Sequence, residues 1–365
     1  MRIGVLGGGQ LGRMLALAGI PMGFEFRFLE PAEDAPIRGL GEHVVAGYAD
    51  PNALAEFAKG LDVVTYEFEN VPVAAARSLA ERVPVRPSPD ALATAQDRVV
   101  EKELFARLGI STAAYEAIDS EEELARALER LGTPAVAKTR RLGYDGRGQF
   151  ALRGPDDVAG AWRALGGASS ILERNVPFDR ELSILAVGGA NGERAFYPLV
   201  ENRHREGILR LSLAPAPGVT QELQAAAESI AEGILKEFSY AGVLAVELFE
   251  AGGELLANEL APRVHNSGHW TIEGAQTSQF ENHLRAVAGL PLGSTRATGA
   301  SAMLNLIGAV PDPAEVLSEP GIHLHLYGKA PRQRRKLGHV TLRGTDAAEV
   351  ARAAQALADR LPSDG

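Results

Sequence analysis

Val243-Leu244-Ala245-Val246-Glu247-Leu248-Phe249 and Leu255-Leu256-Ala257-Asn258-Glu259-Leu260-Ala261 are two apolar runs, each interrupted by one glutamate. Runs of this kind read as buried strands, and Glu250-Ala251-Gly252-Gly253 between them reads as a hairpin turn. A carboxylate in a core strand is costly unless its charge is partnered, and glutamate is rarely buried alone. Two neighbouring acids repel, so a divalent cation between them is the natural partner. Mg²⁺ takes one or two carboxylates and completes its shell with water and substrate phosphate. The plain alternative is a hairpin with two separately satisfied acids. The chain continues through Pro262-Arg263-Val264-His265-Asn266-Ser267-Gly268-His269-Trp270-Thr271, a basic, amide-rich turn suited to an anion beside the metal.

Upstream, Ala135-Val136-Ala137-Lys138 is an apolar strand ending on lysine, and Gly143-Tyr144-Asp145-Gly146-Arg147-Gly148-Gln149 follows it. No G-K-[ST] and no helix come after, so this is a glycine hairpin and not a P-loop. Its backbone donors can fold over triphosphate oxygens as a lid. Lys138 supplies a point charge and Arg147 a planar fork. A surface hairpin with an Asp-Gly turn is the alternative. Ile171-Leu172-Glu173-Arg174-Asn175-Val176 is an apolar strand turning polar. It can offer backbone groups to an adenine edge, with Glu173 accepting from an amine. Glu181 can accept from ribose hydroxyls.

At the other end, Gly7-Gly8-Gly9-Gln10-Leu11-Gly12 follows a strand and opens a helix, and Glu30 closes the next strand. This fits the dinucleotide fingerprint and taken alone points to an NAD-dependent oxidoreductase. The glycines let backbone N–H groups meet an anion at a positive helix end, whether that anion belongs to NAD or to a sugar phosphate. Lys329, Arg332, Arg334, Arg335 and Lys336 crowd eight positions of a chain whose net charge is −10. A solvated turn explains such a run as well, but a monophosphate dianion is the partner that would account for it. Just before it, alternation puts His323, His325 and Tyr327 on one face, in a packed or substrate-facing role.

The bulk numbers set limits. The length of 365 residues implies two or three domains. Hydrophobic content of 45% and charged content of 23% are ordinary globular values. There are no cysteines, so disulfides, thiolate metal sites and cysteine nucleophiles are excluded. The acidic balance argues against a nucleic-acid partner. The Met1-Arg2-Ile3-Gly4-Val5 start reads as a strand and not a signal peptide. A cytoplasmic protein with no membrane partner is expected. Strands and helices alternate over the first ninety-odd residues, predicting a Rossmann-like parallel βαβ domain. Proline-rich Val83 to Pro89 reads as a boundary, Thr94 to Leu108 as one amphipathic helix, and Ser120 with Glu123 as a capping box. Residues 181–260 read as antiparallel strands around one helix, Gln221 to Phe238.

Taken together, the 7–14 glycine segment, Tyr66-Glu67-Phe68-Glu69-Asn70-Val71, Gln96-Asp97-Arg98, the 143–149 loop, Asn258 to Thr271, Tyr327-Gly328-Lys329 and Arg335-Lys336-Leu337-Gly338-His339 resemble an ATP-grasp enzyme. Within that superfamily the chain is similar to the N5-carboxyaminoimidazole ribonucleotide synthase family. The resemblance spans nearly the whole chain. It implies a pre-ATP-grasp domain at 1–95, an ATP-grasp small domain with a mobile lid at 96–172, a large domain at 173–300, and a β-rich C-terminal segment at 301–365. The implied reaction is ATP-dependent carboxylation of 5-aminoimidazole ribonucleotide with bicarbonate through carboxyphosphate, in purine synthesis, by a homodimer.

By the same resemblance, Glu247 and Glu259 hold one or two Mg²⁺ ions. Arg98, Lys138, Gly143 to Gln149, Glu173 to Val176, Glu181, His204 and Asn258 line the ATP site. Gly9, Gln10, Leu11, Glu67 or Glu69, Tyr144, Arg147, Lys329 and Arg335 meet the ribonucleotide, the last two at its 5′-phosphate. Arg263, Asn266, Ser267 and, as a lesser candidate base, His269 serve the transferring group. Many ATP-grasp enzymes carry asparagine two residues after the second metal acid; here that position is Ala261, which leaves two protein carboxylates. The rivals are another ATP-grasp ligase, such as a formate-dependent glycinamide ribonucleotide transformylase, an NAD-dependent oxidoreductase, and a catalytically idle ATP-binding module.

Overall fold

The computed structural model describes residues 1–143, 148–318 and 320–361. Short apolar strands alternating with helices open the chain: β1 (Arg2–Leu6), α1 (Gln10–Gly19), β2 (Glu25–Leu29), β3 (Glu42–Val44), α2 (Pro51–Ala58), β4 (Val63–Tyr66) and α3 (Val73–Ala80). The strands lie in the order β3-β2-β1-β4 and pair parallel throughout, as helical crossovers require. The proline-rich stretch is more than a boundary. Val85 bridges Val64, whose N–H donates to Pro84 O at 2.8 Å, so the stretch extends the sheet edge.

Residues 94–108 do not form one helix. α4 (Pro89–Ala95) ends, and α5 (Arg98–Arg107) starts after Asp97, which is extended and accepts from the Val99 N–H at 3.1 Å. Apolar spacing runs through this break unchanged; the capping aspartate decides it.

A second, antiparallel sheet follows, built from β5 (Tyr115–Ile118), α6 (Glu121–Leu131), β6 (Ala135–Thr139), β7 (Gln149–Leu152), α7 (Val158–Ala164) and β8 (Ser170–Arg174), in the order β5-β8-β6-β7. Leu124, Ala127 and Leu128 of α6 and Val158 and Ala161 of α7 cover one face. Ser120 Oγ accepts from the Glu123 N–H, but Glu123 reaches back to the Asp119 N–H at 2.8 Å. The capping box therefore closes one residue earlier than expected.

The third sheet holds β9 (Arg180–Gly188), β10 (Arg194–Phe196), β11 (Val200–Arg205), β12 (Ile208–Ala214), α8 (Gln221–Glu237), β13 (Gly242–Ala251), β14 (Glu254–Ala261), α9 (Thr271–Gly274), α10 (Gln279–Ala288), β15 (Ala300–Ile307), α11 (Pro313–Val316), β16 (Ile322–Leu326), β17 (Lys336–Gly344) and α12 (Ala347–Arg360). Its order is β14-β13-β9-β11-β12-β15-β17-β16, with β10 on β9. Both faces of its centre are apolar because both are covered. Leu182, Ile184, Ala186, Leu244 and Val246 meet α8, while Leu185, Val187, Val243 and Ala245 share a core with α10 and α1. That second core ties the first sheet to the third. Strands after residue 300 continue the large sheet through β12 and β15. Among the described residues no helix is long and apolar enough to cross a membrane.

Candidate active site

A cleft of about 860 Å³ opens where the three sheets meet. Glu247 and Glu259 face each other directly across β13 and β14, and Gly252 and Gly253, both with positive φ, make the turn that joins the strands. The register slips beside this pair, so Asn258 is an extra residue on β14. Such a bulge re-aims side chains that strict alternation would send to opposite faces. Asn258 and Glu259 accordingly both line the cleft. Lys102 Nζ, fully buried, donates to the Asn258 carbonyl at 2.9 Å and holds the bulge.

Glu259 is paired with Arg98 Nη1 at 2.8 Å. Burial opposes its charge, but Arg98 holds it below the usual carboxylate range. Burial, and then the facing Glu259, push Glu247 up. His265 Nε2 lies 3.3 Å from Glu247, and burial with Arg263 nearby pushes that imidazole down to about 3, so the ring is neutral. Two opposed carboxylates, one of them reluctant to ionise, fit a bridging cation. The Asn258 side-chain oxygen is buried with no hydrogen-bond partner among the described residues and supplies a further hard donor. No group of three or more His, Cys, Asp or Glu side chains forms a metal cage among the described residues. The donor set therefore suits an ion that also binds substrate oxygens, as Mg²⁺ does.

Across the cleft, β6 presents Lys138, and Arg140 follows on the same face. Lys138 Nζ is held by Glu173 at 2.6 Å. Arg263, nearly buried, pairs with Glu69 and donates to the Val264 carbonyl at 2.9 Å. Burial works against the Glu69 charge, but Arg263 keeps its carboxyl below the ordinary range. Asn266 and Asn305 exchange two amide hydrogen bonds, at 3.0 and 2.7 Å, which fixes the Asn266 side chain at the cleft wall. His204 pairs with Glu181, which raises its pKa although burial opposes the charge.

The N-terminal glycine loop is already occupied by the protein's own acids. The Gly9 and Gly12 N–H groups donate to the two oxygens of Glu67 at 2.8 and 2.9 Å, and the Gly8 N–H donates to Glu30 at 2.9 Å. A dinucleotide pyrophosphate needs those donors, so the loop fits the fingerprint without offering its binding site. The loop bends toward the basic turn instead: Lys329 Nζ donates to Gln10 Oε1. Lys329, Arg332, Arg334, Arg335 and Lys336 all line the same cleft.

Comparison with known proteins fits this geometry. The ATP-grasp domain model matches residues 103–280, the ribonucleotide synthetase preATP-grasp domain 1–96, and the phosphoribosylaminoimidazole carboxylase C-terminal domain 301–353. N5-carboxyaminoimidazole ribonucleotide synthase of Pseudomonas aeruginosa is 55% identical over 350 residues, covering 96% of both chains. The chain belongs to the N5-carboxyaminoimidazole ribonucleotide synthase family. The Thermus thermophilus synthetase structure superposes with a TM-score of 0.95 at 56% identity, covering 99% of both chains. The Aspergillus clavatus synthase, solved with ADP and 5-aminoimidazole ribonucleotide, gives 0.91 at 33% identity over 99% of both chains.

Several residues of this family member sit differently from the sequence expectation. Tyr144, Asp145, Gly146 and Arg147 lie outside the described residues; Gly143, Gly148 and Gln149 line the cleft. Glu173 is not open to an adenine amine, because Lys138 and Lys102 (3.3 Å) enclose its carboxylate. The Arg174 and Asn175 N–H groups are spent on Ala114 O and Pro134 O, and both residues are exposed. Ser267 is buried behind His265, accepting from Ser183 Oγ at 2.8 Å, and so orients the imidazole rather than meeting a ligand. His269 is fully buried against Phe280 and His339, and burial keeps it neutral; it has no route to a substrate proton. His325 stacks on His339 and bonds Glu273 at 2.6 Å, while the Tyr327 hydroxyl meets His339 at 2.7 Å. These two side chains pack, and His323 is exposed. Arg140 and His265 also line the cleft, beyond the residues that the sequence points to as ligand contacts. Arg140 had a legible signal, two positions beyond Lys138 on the same strand face.

Proposed function

We propose that this chain carboxylates 5-aminoimidazole ribonucleotide, using ATP and bicarbonate through carboxyphosphate, to give N5-carboxyaminoimidazole ribonucleotide, ADP and phosphate. The observation that carries the reading is one cleft holding the Glu247–Glu259 pair, Arg263 and the 329–336 basic turn together. In this reading the chain needs no protein nucleophile; positioning and charge neutralisation carry the reaction. Lys138, Arg140 and Arg98 face the triphosphate. Arg263, fixed by Glu69, stabilises the transferring phosphoryl and then carboxyphosphate, with Asn266 at the bicarbonate. Lys329 and Arg335 receive the ribonucleotide phosphate, which places the exocyclic amine toward Glu67 and Glu69. The phosphate released beside the amine accepts its proton. Glu247, Glu259 and Asn258 would hold Mg²⁺, which when bound neutralises phosphate charge.

The test is ADP formation with ATP, Mg²⁺ and bicarbonate, with and without the ribonucleotide, alongside direct detection of the carboxylated product. ADP release that ignores the ribonucleotide, or that needs formate and glycinamide ribonucleotide instead, would overturn the reading. Glu259→Gln should lower turnover by about 10²–10³ with the thermal unfolding curve retained, and chelation of Mg²⁺ should abolish ADP formation reversibly.

The expected cuts at 95, 172 and 300 are offered as boundaries for limited proteolysis. Because β15 is hydrogen-bonded to β12, 301–365 should stay attached to 173–300 after cleavage. A cytoplasmic homodimer is the assembly the resemblance favours, and sedimentation of the purified chain tests the dimer.

A further inference from the structure

Gln96, Asp97 and Arg98 are consecutive, yet each reaches a different sheet. They sit at the break between α4 and α5, where Gln96 ends one helix, Asp97 is extended, and Arg98 begins the next. That change of backbone direction lets three neighbours point three ways. Gln96 Nε2 donates to the Glu69 and Val71 carbonyls at 2.8 and 2.6 Å, gripping the loop after β4. Asp97, almost wholly buried, takes Arg140 side-on, Nε to Oδ1 at 3.0 Å and Nη2 to Oδ2 at 2.9 Å, with Arg141 Nε at 3.2 Å. Burial disfavours its charge, but the Arg140 fork outweighs this and holds its carboxyl below the usual range. The Arg98 N–H donates to Arg140 O at 3.0 Å, and its guanidinium holds Glu259. One turn on, Glu101 accepts from the Leu260 N–H at 2.7 Å and Lys102 grips the bulge and Glu173. The spacing of 98, 101 and 102 puts all three on one helix face.

We propose that Gln96-Asp97-Arg98 is the junction that registers the two half-sites of the reaction. Gln96 and Asp97 are positioning residues. Gln96 sets the loop that carries Glu69, and through it Arg263, on the ribonucleotide side. Asp97 sets the end of β6, with Lys138 and Arg140, on the ATP side. Arg98 ties both to the carboxylate pair. A buried carboxylate shared by two guanidiniums and a helix cap is strongly over-determined for a merely structural turn, and a 1 Å misplacement of reacting groups costs about 10² in rate. Carboxyphosphate that is out of register with the amine meets water instead. Hydrolysis returns bicarbonate and phosphate, so lost register shows as ADP in excess of carboxylated product.

The inference rests on the proposed function, and the assay separates the two. If the wild-type chain turns over no ribonucleotide, the function reading fails first. If it does, Gln96→Leu, which keeps bulk and removes the donor, should raise KM for the ribonucleotide about tenfold and push the ADP-to-product ratio above one, leaving KM for ATP unchanged. Asp97→Asn keeps the helix-cap acceptor and removes the charge; it should raise KM for ATP about tenfold and leave KM for the ribonucleotide unchanged. If Asp97→Asn does not fold, the ADP-to-product ratio of Gln96→Leu carries the test, because Arg140 itself faces the triphosphate and its substitution would raise KM for ATP with or without the junction. Variants with wild-type KM values and a ratio of one, whatever their melting temperatures, would overturn the junction.

Discussion

Lys329 sits among Arg332, Arg335 and Lys336 at the end of the cleft proposed to receive the ribonucleotide phosphate. Burial first, and then these neighbours, push its ammonium down to about 8, with Glu67 pulling the other way. Above that pH the free protein loses the charge that a phosphate dianion requires. kcat/KM for the ribonucleotide should therefore fall as pH rises past about 8, while kcat at saturation stays flatter because the bound dianion restores the charge. Lys329→Arg should move that alkaline limb beyond the measurable range; a limb that stays in place would assign it to another group. Gly9 bears on the same corner. An added Cβ there would stand 2.5 Å from Glu67 Oε1, so Gly9→Ala must dislodge the carboxylate from the loop. Overpacking of this kind costs about 1–3 kcal/mol. The expected result is a raised KM for the ribonucleotide with ATP binding intact, read by titration of each ligand.

Elements differ in how openly the sequence announces them. The β13–β14 hairpin is legible because two apolar runs and a Gly-Gly turn are local signals, and the parallel βαβ order is legible from its alternation. The break between α4 and α5 is not, since apolar periodicity continues through Gln96 and Asp97 and only a capping bond to Val99 stops the helix. Three-residue β3 and the short β5 and α7 are too brief for periodicity to register. The site divides in the same way. Glu247, Glu259, Lys138 and the basic turn declare themselves by residue type in an odd place. The surroundings of Glu173 and His269 are not legible in the same way, because they come from distant segments: Lys102 and Lys138 for one, Phe280 and His339 for the other. At this scale Ser120→Ala should cost about 1 kcal/mol at the start of α6. It should speed amide exchange over 121–131 while leaving turnover unchanged; lost activity would mean that α6 does more than support its sheet.

Across the whole molecule, buried acids pull stability in opposite directions with pH. Asp97, Glu173 and Glu69 are held below their ordinary range by cationic partners, against the penalty of burial. Their contribution is present above the unfolded carboxylate pKa of about 4 and is lost as pH falls through the lower folded values. Burial, and then Glu259, push Glu101 up to about 8. Its contribution is complete below about 4 and is lost as pH rises toward 8, by at most about 1.4 kcal/mol per pH unit. Glu101→Gln should therefore flatten the decline in Tm between about pH 5 and 8; an unaltered slope would show that Glu101 ionises freely. The ion pairs within the cleft have a last consequence, for ionic strength. Glu259 already has Arg98, and Lys138 already has Glu173. A metal-bound triphosphate has to compete with these existing partners, so added salt, which weakens the competing pairs as well, should lower nucleotide affinity only modestly. The 329–336 turn carries five bases, of which Arg334 pairs with Glu206 at the exposed rim, and this excess of positive charge should make ribonucleotide affinity fall more steeply along the same salt series.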